Sequence, residues 1–215
     1  GGSATAGGSA TAGGSATAGG SATAGGSATA GGSATGGGSA GTLCTTGAFD
    51  AGVSGGDLLA DGGFTASGSL LVDAGIVATA TSVYSGYPPG AVLDFDVNTS
   101  WYINSDCTNV SSSLYCCDAQ SIRLDLPAAR TVNAVLLRGN QGSFPDGYDI
   151  LTARLELLGA SGTVLDSQLV VFNRPAGDWA HRFTPAIQNV RAVRLLPGWT
   201  ESSAPGIAEI QLFVP

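Results

Sequence analysis

Residues 1–42 contain no side chain larger than threonine, which restricts the core of any folded domain to the rest of the chain. Residues 1–30 are five perfect copies of Gly-Gly-Ser-Ala-Thr-Ala, and residues 31–42 repeat the pattern imperfectly. Glycine loses the most conformational entropy on ordering, and small side chains bury too little apolar surface to compensate. We therefore interpret residues 1–42 as an assembly segment that needs partners, and place the globular part after it.

The period of the repeat leaves two modes of packing open. Six is a multiple of two, so every copy presents Gly, Ser and Thr on one face of a strand and Gly, Ala and Ala on the other, a silk-like pattern. Six is also a multiple of three, which suits a bundle of glycine-rich left-handed helices. We expect copies of the chain to pack through residues 1–42 as the core of an extracellular filament. The alternative is that residues 1–42 serve as a Gly-rich spacer for the globular part.

The charge balance excludes two classes of partner. The net charge is −8, lysine is absent, and the eight arginines form no cluster. An acidic chain of this kind is not expected to bind nucleic acid or an anionic membrane surface. No apolar run approaches the roughly 18 to 20 residues of a membrane span, so none is expected. No signal peptide is visible and the chain begins inside a repeat, so we expect a processed or incomplete chain.

Four cysteines, an even number, indicate two disulfides and therefore an oxidising compartment. A zinc site is not expected, because the sequence contains no C-x-x-C motif. Cys107 is expected to pair with Cys116 or Cys117. Cys44 then pairs with the remaining cysteine or with a neighbouring chain. Two Asn-x-Ser triplets, at Asn98 and Asn109, are candidate glycosylation sites and agree with an extracellular or cell-surface location.

Alternation of apolar and polar residues after residue 76 predicts many short strands. Ile122, Leu124 and Leu126 alternate with charged residues, and residues 153–158 and 208–213 show the same pattern. Further apolar runs cover residues 132–137, 164–172 and 190–196. Gly-rich and Pro-rich turn signals separate them, among them Pro127 and residues 159–162. The pattern predicts an all-β sandwich or jelly roll.

Six segments carry a resemblance to a known family. They are residues 78–101, Ser121–Leu126 (I-x-x-D-L), Thr131–Arg138 (V-x-x-V-x-L-R), Leu155–Leu165 (L-x-G-A-S-G-x-V-L), Val190–Leu196 (V-R-x-V-R-L) and Ile207–Phe213 (I-A-E-I-x-L-F). In this order they resemble a discoidin (coagulation-factor type C) domain. The resemblance covers residues 76–215 and implies a galactose-binding-like jelly-roll β-sandwich, with residues 43–75 as a connecting segment that includes the first strands.

The resemblance also implies one structural calcium ion. Asp94, Asp96 and Thr99 occupy the family's ligand positions before Trp101, and carboxylate, hydroxyl and carbonyl oxygens are ligands that calcium prefers. The complete set implied by the resemblance consists of Ala91, Asp94, Asp96, Thr99, Ala208 and Glu209.

As the alternative to a filament subunit, the resemblance implies a secreted carbohydrate-binding or adhesion module on a Gly-rich spacer. Sugar-binding members of the family use aromatic and polar side chains on loops at one end of the sandwich. The candidates in this chain are Tyr84, Tyr87, Arg138, Asn140, Tyr148, Trp179, His181 and Trp199. The loop from Cys107 to Cys117 follows Trp101 and is expected to cover or reshape that end. With one histidine and no phosphate-binding motif, the chain is not expected to be an enzyme.

Overall fold

The computed structural model describes residues 43–44, 68–140, 147–172 and 177–215. The predicted assembly segment, residues 1–42, lies outside the described residues. The strands of the described part are β1 Ser69–Leu70, β2 Val77–Ala80, β3 Trp101–Tyr102, β4 Thr108–Ser111, β5 Leu114–Cys116, β6 Ile122–Gly139, β7 Thr152–Leu158, β8 Val164–Val171, β9 Trp179–Pro197, β10 Trp199–Thr200 and β11 Gly206–Val214. A 3₁₀ helix spans Pro89–Leu93. The prediction of an all-β fold is confirmed.

The two longest strands, β6 and β9, pair with each other in two stretches, and different strands flank each stretch. Their first pairing, Ile122–Asp125 with Ala192–Leu195, is flanked by β2 and β7. Their second pairing, Ala134–Leu137 with Trp179–Arg182, is flanked by β11. Register shifts between the two pairings mark β-bulges, which bend strands and increase their twist. The sheet order is β1-β11-β6-β9-β7-β8, with β2 beside β6 and β3 beside β11.

The prediction of a turn at Pro127 was wrong. Pro127 lies inside β6, in the exposed stretch of residues 127–129 between the two pairings with β9. Proline has no backbone N–H to donate to a neighbouring strand, so it is tolerated where the ladder is already interrupted. The predicted turn at residues 159–162 is confirmed, because Gly162 donates its N–H to the Gly159 carbonyl at 2.9 Å.

The apolar positions of the predicted alternation build the core. Ile122 and Leu124 of β6 and Leu155 and Leu157 of β7 have no exposed surface. Their charged neighbours lie on the other face, where Glu156 accepts hydrogen bonds from the Arg194 guanidinium at 2.5 and 2.9 Å. In these segments the period of two thus places the apolar side chains on one face and the charged side chains on the other.

A second, three-stranded sheet has the order β10-β5-β4. Two disulfides hold it. One joins Cys44 to Cys116, and the other joins Cys107 to Cys117 across the base of the β4–β5 hairpin. This pairing is one of the arrangements that the sequence left open. None of the described residues forms an apolar helix of membrane-spanning length.

Candidate functional site

A cleft of about 340 Å³ opens among the loops that join the strands. Four tyrosines and three serines supply most of its surface, and among the residues that the structure describes no charged side chain lines it. The lining residues are Tyr84, Tyr102, Ser105, Tyr115, Tyr148, Ser202, Ser203 and Ala204. We call this site the tyrosine cleft.

Tyr102 is the most buried of the four lining tyrosines, with 1% of its surface exposed. Its hydroxyl donates a hydrogen bond to Asn140 Oδ1 at 2.6 Å, and the Ser100 hydroxyl donates to the same oxygen at 3.2 Å. Its ring lies edge-on to Tyr87, with 4.9 Å between ring centroids, and to Tyr148, at 6.4 Å. Edge-to-face packing of this kind is favourable for aromatic pairs and fixes the ring.

Ser82 holds the loop that carries Ser105. Its hydroxyl accepts the N–H of Asn104 at 2.9 Å and donates to Asp106, and its carbonyl accepts the indole N–H of Trp101 at 2.9 Å. Within the same region Tyr84 donates its backbone N–H to the carbonyl of Tyr102 at 2.8 Å. Tyr84 therefore lies beside Tyr102, although the two residues are far apart in sequence.

Backbone hydrogen bonds join two further lining segments, Tyr148 and residues 202–204. Glu201 donates its N–H to the Asp149 carbonyl at 3.0 Å, and Gly206 donates to the Tyr148 carbonyl at 2.9 Å. A side chain at position 206 would come within 2.5 Å of the Tyr102 ring, so only glycine fits this close approach. Tyr148 and the loop of Ser202 are thus held as one unit.

The structure brings some of the predicted ligand residues together and separates others. Tyr84 and Tyr148 line the tyrosine cleft, while Tyr87 and Asn140 contact Tyr102. Trp199 is 2% exposed and outside the lining.

Three more predicted ligand residues belong to the paired strands β6 and β9 and do not line the cleft. Trp179 is also 2% exposed, and His181 stacks on its ring with 5.8 Å between centroids. Arg138 pairs with Asp178 at 3.4 Å. Burial raises the pKa of Asp178 above its ordinary value, although the Arg138 charge and the Gly139 N–H lower it.

Sequence reasoning missed six of the lining residues. These are Tyr102, Ser105, Tyr115, Ser202, Ser203 and Ala204. Tyr102 follows Trp101 in β3 and has the pattern of a core residue, so no local signal marks it. Tyr115 lies in the Cys107–Cys117 loop, which the sequence predicts to cover or reshape the ligand-binding end. Its position in that loop was the signal that could have marked it as a lining residue.

The loop after the 3₁₀ helix brings Asp94 and Thr99 together. The Thr99 hydroxyl lies 2.7 Å from Asp94 Oδ2, and Asp94 Oδ1 accepts the N–H of Asp96 at 2.9 Å. The Asp96 carboxylate instead accepts the backbone and side-chain N–H groups of Asn98 at 3.0 and 2.8 Å, and these hydrogen bonds lower its pKa. Phe95 adopts a positive φ of 61° between the two acids.

Glu209 on β11 faces this loop and has no exposed surface. Neither carboxylate oxygen has a hydrogen-bond partner among the described residues. Burial, and next the Asp94 carboxylate, raise the pKa of Glu209 to about 7. A buried carboxylate without a donor is costly unless a cation compensates its charge. The donor set of Asp94, Thr99 and Glu209 therefore fits a hard cation such as calcium.

The two candidate glycosylation sites differ in their surroundings. Asn98 is exposed, but its side-chain amide donates to Asp96 inside the loop. Asn109 is exposed on β4 of the hairpin.

The fold is similar to that of several solved domains. An F5/8 type C domain from Bacteroides fragilis superposes with a TM-score of 0.54 and is 17% identical over 68% of this chain and 96% of that domain. The lectin domain of lectinolysin, complexed with Lewis B antigen, has a TM-score of 0.52 and 16% identity over 66% of this chain and 94% of that one.

The family 32 carbohydrate-binding module of C. perfringens NanJ, in complex with galactose, has a TM-score of 0.50 and 19% identity. It covers 64% of this chain and 93% of that module. No family model matches the sequence, and a search of curated proteins finds no match. The similarities establish the fold: the body of this chain is a galactose-binding-like jelly roll.

Proposed function

We propose that this protein is a secreted carbohydrate-binding module that holds a neutral saccharide in the tyrosine cleft. The observation that carries the proposal is the cleft itself. Tyrosine rings and serine hydroxyls line it together, in a domain with a galactose-binding-like fold. Three domains of similar fold are described with bound galactose, Lewis b and GalNAc-β-1,3-galactose. Those ligands belong to those proteins, and they make saccharides the natural class to test here.

The chemistry of the lining suits a sugar ring. One face of a pyranose is apolar and stacks on an aromatic ring, while its hydroxyls need hydrogen-bond partners. Tyr84, with 38% of its surface exposed, and Tyr148 offer ring surface, and Ser105 and Ser202 offer hydroxyl groups. The described part of the lining carries no positive charge that would attract an anion, and the chain has a net charge of −8, so acidic sugars are disfavoured.

The volume of the cleft limits the size of the ligand. Binding pockets for small molecules span roughly 300 to 1,000 Å³, so a cleft of about 340 Å³ is near the lower limit. We expect one or two sugar rings to be held, with any longer glycan extending into solvent.

Calcium is proposed as a structural ion rather than as part of the saccharide site. Asp94, Thr99 and Glu209 would supply side-chain oxygens, and the carbonyls of Ala91 and Ala208 complete the expected set together with Asp96. The Glu209 carboxylate supports this assignment, because it is fully buried and has no hydrogen-bond partner within the described ranges of the chain. A bound calcium ion would balance the negative charge of the Glu209 carboxylate. It would also connect the loop after the 3₁₀ helix to β11.

Secretion is supported by the two disulfides, which persist in oxidising compartments. Binding, and not catalysis, is the activity proposed. Assembly through residues 1–42 is a separate prediction that is compatible with binding, because a filament can display a carbohydrate-binding domain.

A glycan array tests the proposal. The intact chain is applied beside Tyr148→Ala and Tyr84→Ala, with Leu165→Ala as a control for loss of an exposed apolar side chain outside the cleft. We expect binding to neutral glycans by the unchanged chain and by the control, and weaker binding by both tyrosine variants. The absence of any glycan signal, or equal signals from all four proteins, would contradict the proposal.

A further inference from the structure

We propose that the β4–β5 hairpin forms one wall of the tyrosine cleft and that the Tyr115 ring supplies an aromatic contact that strengthens saccharide binding. The hairpin comprises Thr108–Ser111 and Leu114–Cys116. The inference rests on the proposed function, because it concerns the same cleft.

The strand pairing of β5 directs Tyr115 to the cleft. Tyr115 lies opposite Thr200 of β10, and Cys116 lies opposite Trp199. The loop after Thr200 carries the lining residue Ser202. Tyr115 therefore lies beside the segment that forms the serine side of the cleft, and its ring is partly buried against the core.

The hairpin has few apolar contacts of its own. All four residues of β4 are exposed, and Ser112 and Ser113 at the turn are exposed as well. A two-stranded hairpin is at best marginally stable in water. Its position in this protein must therefore be set by other connections.

Two consecutive cysteines provide those connections at the end of β5. Cys116 is bonded to Cys44, and Cys117 is bonded to Cys107. Cys117 is 1% exposed, donates its N–H to the Gly198 carbonyl at 3.0 Å, and has its sulfur 3.2 Å from the Thr200 hydroxyl. Tyr115 thus directly precedes the most firmly held point of the hairpin.

The consequence for binding follows from the position of the ring. Tyr115 is the one lining residue that the hairpin contributes, whereas Tyr84, Tyr102 and Tyr148 come from other segments. Removing the Tyr115 ring opens the cleft on the hairpin side and removes one aromatic contact with the sugar. The remaining rings still bind, but they hold a single sugar ring less tightly.

The test measures the affinity of the full chain for galactose and for fucose by calorimetric titration. We compare the unchanged protein with Tyr115→Ala, Tyr115→Phe and the matched hairpin control Ser112→Ala, which alters an exposed residue outside the cleft. We expect Tyr115→Ala to weaken binding about tenfold, as the loss of one aromatic contact implies. Tyr115→Phe and Ser112→Ala are expected to bind within about twofold of the unchanged protein, since they keep the ring.

Tyr115→Leu serves as a second variant, because it keeps apolar bulk against the core if the alanine variant unfolds. It is expected to lose affinity while its melting temperature stays close to that of the unchanged chain. Equal affinity of the unchanged chain and Tyr115→Leu would overturn the role of Tyr115 and leave the proposed function standing. Failure of the unchanged chain to bind either sugar or any neutral glycan on the array would overturn both.

Discussion

The Tyr102 hydroxyl and Asn140 Oδ1 are joined by a buried hydrogen bond of 2.6 Å beneath the tyrosine cleft. The bond links β3 to the end of β6, and it gives a polar partner to two groups that water does not reach. Tyr102 therefore supports the cleft through its hydroxyl as well as its ring.

Tyr102→Phe removes this donor and keeps the ring. Asn140 Oδ1 retains the Ser100 donor at 3.2 Å, so we expect the free energy of unfolding to fall by about 1 kcal/mol, the usual contribution of one hydrogen bond. Urea denaturation measures the change. Tyr84→Phe is the control, since Tyr84 is 38% exposed and its hydroxyl can be solvated. Equal stability of the two variants would show that the buried bond contributes nothing.

Removal of calcium is expected to destabilise the domain. With free calcium at about one hundred times its dissociation constant, binding adds about 2.7 kcal/mol to stability, so a chelator lowers the melting temperature. Glu209→Gln removes the buried charge and is expected to abolish the difference between calcium and chelator. Glu201→Gln, a neutralisation outside the ligand set, keeps the difference. An unchanged calcium response in Glu209→Gln would refute the role of this carboxylate.

The two disulfides are expected to contribute unequally. Cross-links that close longer loops restrict the unfolded chain more, and the sequence separations are 72 for Cys44–Cys116 and 10 for Cys107–Cys117. The loop-closure relation gives about 4 kcal/mol for the first and about 3 kcal/mol for the second. Denaturant unfolding of the two double alanine variants measures the difference. A larger loss for the Cys107–Cys117 pair would show that packing of the buried Cys117, rather than loop closure, dominates.

The fold was predictable because segments of β6 and β7 alternate apolar and polar residues. Ile122, Leu124, Leu155 and Leu157 are apolar at every second position, and all four are fully buried. The length of β6 was not predictable, because Pro127 is a turn signal in isolation and is tolerated only where a bulge interrupts the ladder.

The site was predictable only in part. The resemblance implies Tyr84 and Tyr148 as ligand residues on loops, and both line the cleft. Tyr102 and Tyr115 reach the cleft through strand pairing and disulfide connectivity, which link residues far apart in sequence. Trp199 shows the converse, because a tryptophan after a Pro-Gly turn has the same local pattern whether it is exposed or, as here, buried.

Residues 1–42 carry the prediction of assembly. Electron microscopy of the intact chain beside a version that starts at Leu43 tests it. We expect regular filaments from the intact chain only, because the repeats need partners to offset the entropy of ordering glycine. Dispersed particles from both versions would contradict assembly and leave a spacer as the role of the repeats.

The most direct test of saccharide binding is an NMR titration of the isotope-labelled protein with galactose. We predict that backbone signals shift with increasing sugar around Tyr84, Ser105, Tyr115, Tyr148 and Ser203, the segments that line the tyrosine cleft. Signals of the β7–β8 turn at residues 159–163 serve as the internal reference and should stay in place. Shifts confined to that turn, or none at all with galactose and other neutral sugars, would contradict the account.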